Sequence, residues 1–416
     1  MATLQRCVVF GLLFACINVA SLRGEEPDAA VLRMLLERVQ QLDFDDAEAV
    51  HEVAEWARKR GLHAYALELY DRVLDADPQH AAAHAQLVDL TARRGIADDA
   101  ALRKELGEAL PGFNLHVTDH FVIVYDTDRE AAEERAALLE RTHTMFYRTF
   151  DRADFLTRPL REKLVVILFA DRQDFQTYAA ERDAVHHDWS LGHYSARTNR
   201  VAFYHEPTGT ALARYAERVA VLEAEVREHE EGDRAADRRR AEAELSRLRA
   251  RHTRLAEATD TARTTHEATH QLAFNAGLLR RGVVHPIWIV EGMATNFEAL
   301  QSDATFGPRV ANPYRRSALV EAVRGDALLP LAELIVQVHS PGDNKAARDL
   351  YAQSWALFRY LFRRHPEQLR DYLAALYTFE RDRHDPDALH EAFTQAFGEL
   401  DIFEPRFTAY VRSADP

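Results

Sequence analysis

The spacing of apolar positions changes at Pro111-Gly112, and that change divides the chain. Before it, residues 26–110 read as helices with little strand signal. After it the period falls to two. Leu115, Val117, Phe121, Ile123 and Tyr125 recur along Phe113–Tyr125, which predicts strands with a turn at Asp119. A helix rich in Ala, Glu and Arg is expected over 129–149. Leu164 to Phe169 is an unbroken apolar run, short enough for a buried strand. Asp171–Arg182 reads as another helix. Trp189–Arg197 and Arg200–His205 then read as an edge hairpin joined by Thr198-Asn199, where Gly192 would let an extended peptide approach closely.

Helical spacing returns beyond residue 210. Leu212, Tyr215, Val219, Leu222 and Val226 recur at three-four spacing, as do Leu245, Leu248, His252 and Leu255, with Gly232-Asp233 between the two sets. This predicts an antiparallel helical hairpin inserted at 210–258, with a Glu-rich first arm, an Arg-rich second arm and His252 as a polar residue in the seam. A role for this arm in shielding or gating a cleft is an expectation of the same reading. The expected fold class is α+β: helices over 25–111, a mixed sheet with a central helix over 112–285, and a helical region over 286–416. Ala47–Pro78 resembles a tetratricopeptide unit, with Ala54 and Ala66 at the helix crossing, Tyr70 in the second helix and Pro78 at the end; a partial copy starts near Ala81. Two units are few, so these helices read either as a cap on the neighbouring domain or as a docking module for a protein partner.

Composition adds limits. In 416 residues, 47% apolar and 29% charged content fits a globular body and not a membrane-embedded one. A net charge of −15 argues against nucleic acid as a partner, because phosphate binding needs basic patches. Arg6 followed by the apolar run Cys7–Ala20 reads as a signal peptide within 1–24, so export to the periplasm or beyond is expected. Leu13-Phe14-Ala15-Cys16 loosely matches a lipoprotein signal, in which Cys16 would carry the lipid anchor and the only membrane contact. Both cysteines lie in this segment, which leaves no disulfide or thiolate chemistry downstream. No G-x-S-x-G elbow supports serine chemistry.

The chemistry concentrates in His266-Glu267-Ala268-Thr269-His270 and in Trp288-Ile289-Val290-Glu291-Gly292-Met293-Ala294. On a helix His266 and His270 share a face and can hold one metal ion, while Glu267 points about 100° away, where it can serve as a base. Thr259, Asp260, Thr264 and Thr265 offer caps or early-turn residues for such a helix, and Gly277 offers its stop. Glu291 follows four large apolar residues, a costly place for a carboxylate unless it meets a cation. Two imidazoles and a carboxylate make a catalytic zinc set with an open position.

These stretches, HEATHQLAFNAGL (266–278) and PIWIVEGMATNFE (286–298), resemble the gluzincin branch of zinc metallopeptidases. More narrowly they resemble the DUF1570-type family of bacterial secreted proteins, over about residues 115–375. The resemblance implies a zincin-like two-lobed fold, Zn2+ ligated by His266, His270 and Glu291, Glu267 as general base, and a peptide or protein substrate. Many gluzincins place an Asp four residues after the ligand Glu to orient a histidine. Here that position is Thr295, with Asn296 and Glu298 nearby. The Y-x-x-S-x-x-L stretch from Tyr351 extends the resemblance and implies Tyr351 as the oxyanion donor, with His339 the alternate. A decayed zincin serving as a binding scaffold, or an amidase acting on a non-peptide substrate, remain the rival readings.

Overall fold

The computed structural model describes residues 28–96, 100–185, 192–205, 217–224, 226–227 and 235–413. The expected signal segment, Cys16 and Trp189 fall outside these, as does the side chain of His252. No helix among the described residues is long and apolar enough to cross a membrane.

The architecture is α+β, mostly helical, around one five-stranded mixed sheet. Its strands are β1 (Asn114–Val117), β2 (Phe121–Tyr125), β3 (Leu164–Phe169), β4 (Gly192–Ser195) and β5 (Arg200–Tyr204), in the order β1-β2-β3-β5-β4. β2, β3 and β5 run parallel, and β1 and β4 are antiparallel edges. The period-two pattern explains the layering. Phe121, Ile123, Leu164, Val166 and Leu168 enter the large core beneath one face, whereas Val122, Val124, Val165, Ile167 and Phe169 enter a smaller core on the other. The large core is lined by α6 (Arg129–Asp151) and α8 (Ala235–Asn275), the smaller by α5 (Ala100–Ala109) and α7 (Arg172–Asp183). Asp128 and Asp171 cap α6 and α7 by accepting from backbone N–H groups of the first turn.

α8 corrects the expected helix boundary. It is one 41-residue helix, roughly 60 Å long, that carries both the second arm of the hairpin and the HExxH residues. Thr259, Thr264 and Thr265 do not cap it. Their hydroxyls donate to the carbonyls of Leu255, Asp260 and Thr261 four residues back, which satisfies them inside a continuing helix. Asp260 instead pairs with the buried Arg135 of α6, whose guanidinium also donates to Thr264. The outer half of α8 faces the helical run 217–224 through Arg218–Glu244 (3.3 Å) and Glu223–Arg249 (2.5 Å), and Leu222 and Leu245 are buried.

The amino-terminal helices are α1 (Ala29–Val39), α2 (Ala47–Lys59), α3 (His63–Ala76) and α4 (Ala81–Arg94), with a core of their own that includes Ala54, Ala66 and Tyr70. They are docked, not free. Arg158 meets Asp75 at 2.8 Å, Arg161 meets Asp71 at 2.5 Å, and His84 Nε2 lies 2.8 Å from the Thr157 carbonyl. Tyr377 also donates to Asp75.

After α8 the chain turns at Gly277 (φ +73°), beside which Arg158 packs. There follow α9 (Ile287–Asn296), α10 (Pro313–Arg324), α11 (Leu331–Leu334), α12 (Asn344–Arg364), α13 (Pro366–Tyr377), α14 (Pro386–Phe397) and α15 (Leu400–Val411). Pro313, Pro366 and Pro386 open their helices, where a missing N–H costs nothing. The large core runs unbroken from the sheet through α8 and α9 to these helices.

Candidate metal centre

Two helices meet to build the site. On α8, Ala268, Thr269 and Leu272 are fully buried, which aims His266 and His270 at α9. On α9, Trp288 and Ile289 anchor the helix in the core. Gly292 lets it press against α12: an added Cβ would lie 2.6 Å from the Ser354 carbonyl oxygen. Glu291 is thereby set between the histidines. His266 Nε2 lies 3.1 Å from His270 Nε2 and 3.1 Å from Glu291 Oε2, and His270 Nε2 lies 3.7 Å from Glu291 Oε1.

This convergence suits a cation. Two imidazole nitrogens at 3.1 Å cannot both carry protons, and Glu291 Oε2 is buried beside them without a well-formed hydrogen bond. Burial alone would make His266 harder to protonate, but Glu291 and Glu298 outweigh it and raise its pKa to about 10. Burial and the neighbouring His266 push His270 down. Burial disfavours charge on Glu291, yet the two histidines hold its pKa below the usual range. A divalent ion would supply the positive charge that His266 otherwise provides, and two nitrogens with one carboxylate oxygen match a catalytic zinc set.

Glu298 orients the first histidine. Its Oε1 lies 3.1 Å from His266 Nδ1, which fixes Nε2 as the inward atom. Glu298 is itself held by Arg315, whose Nε donates at 2.8 Å and whose Nη2 donates to Oε1, and by Asn312 Nδ2 at 3.2 Å. Burial would raise the Glu298 pKa, but Arg315 and His266 bring it to about 2. Thr295 turns back on its own helix and donates to the Glu291 carbonyl, and Asn296 donates to Gly292 and Trp355 carbonyls. Sequence reading placed Glu298 only nearby and missed Arg315 and Asn312. Asn312 caps α10, and nothing in the spacing ties it to Glu298.

Glu267 is half-buried on the flank of this cluster, and its charge acts on His266, His270 and Tyr351. Tyr351, on α12, is partly buried; burial and then the Glu291 carboxylate push its phenol upward, so it stays a hydrogen-bond donor. His339 lies exposed beyond α11.

At the edge hairpin, Gly192 has a packing reason of its own: a Cβ there would lie 2.6 Å from the Phe203 ring and 3.2 Å from Arg263 Cδ. The glycine admits these two side chains.

Among the described residues two other clusters bring three such residues together, and neither suits an ion as well. At Glu48, His51 and His80, the His80 Nδ1 accepts from Ala83 N as a helix cap, which leaves the proton of the neutral ring on the Nε2 that faces the cluster. At His120, Glu140 and His143, Glu140 already accepts from Thr118, His120 N and His120 Nδ1, and the two rings stack at 3.6 Å instead of converging.

Residues 260–382 match the model of a family described as Protein of unknown function (DUF1570). The match takes in His266, His270, Glu291, Glu298, Arg315 and Tyr351, but not the amino-terminal helices or the sheet. No curated protein matches the chain.

Proposed function

We propose that the chain is an exported zinc-dependent metallopeptidase of zincin-like, two-lobed architecture, with His266, His270 and Glu291 as the metal ligands. The observation that carries this reading is the convergence of two imidazole nitrogens and a buried carboxylate, with a second carboxylate, Glu267, beside them and outside the ligand set. A purely structural metal site would have no use for Glu267. Zinc held there would act as a Lewis acid, polarising a carbonyl and lowering the pKa of a water towards neutrality.

The remaining work falls to side chains. Glu267 takes the proton from the attacking water and delivers it to the departing amine. Tyr351 stays protonated and donates to the oxyanion that develops on the substrate carbonyl. An extended substrate would add as a strand at the sheet edge formed by β4, which is antiparallel to β5 and packs against α8. That geometry favours a peptide over a compact amide.

The test is hydrolysis of unfolded proteins, short peptides and simple amides, with and without chelator, by the parent and by Glu267→Gln. Chelator-sensitive peptide cleavage that Glu267→Gln loses by at least a hundredfold supports the assignment. A fully active Glu267→Gln refutes the assignment of the base. Cleavage of simple amides alone would replace the peptide substrate with a non-peptide one.

A further inference from the structure

The first turn of α10 lies outside both sequence segments that carry the candidate chemistry, yet three of its donors converge on one carboxylate. Asn312 Nδ2, Arg315 Nε and Arg315 Nη2 all point at Glu298. Asn312 is fixed in turn, because its Oδ1 accepts from the backbone N–H groups of Tyr314 and Arg315. Arg315 has 19% of its side chain exposed and Glu298 has 9%, so the pair is largely shielded from solvent screening. The Arg315 guanidinium also stands 5.9 Å from the Tyr351 ring.

From this placement we infer that Arg315 is a positioning residue for the metal centre: it locks Glu298 in the one pose that presents His266 Nε2 inward, and so sets metal affinity from another helix. The inference rests on the zinc reading above. A free Glu298 carboxylate could rotate off His266 Nδ1, or turn inward as a rival ligand. Three donors from α10 remove both options. Removing the guanidinium therefore acts on the metal through two intermediates, Glu298 and His266, without touching any ligand.

The experiment measures zinc affinity of the full chain by competition with a chelator, alongside the absorption spectrum of the cobalt-substituted protein and urea unfolding of the metal-free form. Arg315→Met and Glu298→Gln should each weaken zinc about 10–100-fold and change the cobalt spectrum. The double variant should lose little more than the worse single one, because both act through one contact. Arg315→Lys, which keeps charge but not the two-pronged grip, should fall between parent and Arg315→Met. Glu298→Gln keeps the size of the side chain and covers the case in which Arg315→Met fails to fold. Parent-like affinity and spectrum in a folded Arg315→Met or Glu298→Gln overturn the inference alone. A parent that takes up no zinc overturns it together with the zinc reading.

Discussion

Replacing Gly292 by alanine tests how tightly Glu291 is held. A Cβ at this position would lie 2.6 Å from the Ser354 carbonyl oxygen and 3.0 Å from Phe358 Cβ. An ordinary carbon–oxygen approach is about 3.3–3.6 Å, so α9 and α12 must separate by roughly 0.7 Å or more. Neither helix can retreat freely, because Trp288, Ile289, Ala352, Trp355 and Phe358 are all buried in the same core. Overpacking of this kind costs about 1–3 kcal/mol. The displacement falls one residue from Glu291, where ligand distances tolerate only about 0.2 Å. Zinc affinity should fall by roughly tenfold or more as a result, a loss comparable to that of an orienting partner. Gly107→Ala is the control: it sits within α5 with open space where the Cβ would go, and should stabilise the chain by about 0.5–1 kcal/mol without touching the metal. Urea unfolding and zinc titration read both effects. A Gly292→Ala variant with parental stability and affinity would refute the close-packing argument.

Three further outcomes are expected. Tyr351→Phe should lower kcat about 10–1,000-fold with KM little changed, as read from steady-state peptide hydrolysis, if its hydroxyl acts mainly on the oxyanion. Asp75→Asn should cost about 1–3 kcal/mol in urea unfolding, because one carboxylate oxygen accepts from both Arg158 Nη1 and the Tyr377 hydroxyl; parental stability would show that this docking contact contributes nothing. Glu140 gives a pH signature. Burial would raise its pKa, but hydrogen bonds from His120 and Thr118 bring it to about 2, below the usual 4.5 of a glutamate. Its contribution to stability is therefore complete above about pH 4.5 and lost as pH falls towards 2. Glu140→Gln should be less stable than the parent at pH 7 and converge with it near pH 2, and a constant gap across that window would contradict the linkage.

What was legible in the sequence is what repeats locally. The period-two run Phe113–Tyr125 and the apolar block Leu164–Phe169 became β1, β2 and β3. β2 and β3 bury alternate side chains in the two cores on opposite faces, whereas Leu115 and Val117 of the edge strand β1 stay exposed, so the alternation there marked a strand and not a buried face. The four-residue spacing of His266 and His270 gave the shared face that meets Glu291. What stayed hidden depends on contacts between distant segments. Thr259, Thr264 and Thr265 read as caps because a hydroxyl bonded to a helix N-terminus and one bonded to a carbonyl four residues back are the same residue in a sequence. The packing of Gly192 against Phe203 and Arg263 stayed hidden too, because these come from a different strand and a helix. Arg315 and Asn312 reach Glu298 only because the chain between them folds back, and no spacing rule encodes that return.

Zinc content per chain, read by elemental mass spectrometry on protein purified without added metal or chelator, tests the metal centre most directly. About one zinc is expected in the parent and in Glu267→Gln, and a loss of zinc in His266→Ala. A parent chain that carries no transition metal, and takes up none when supplied, would contradict the metal assignment.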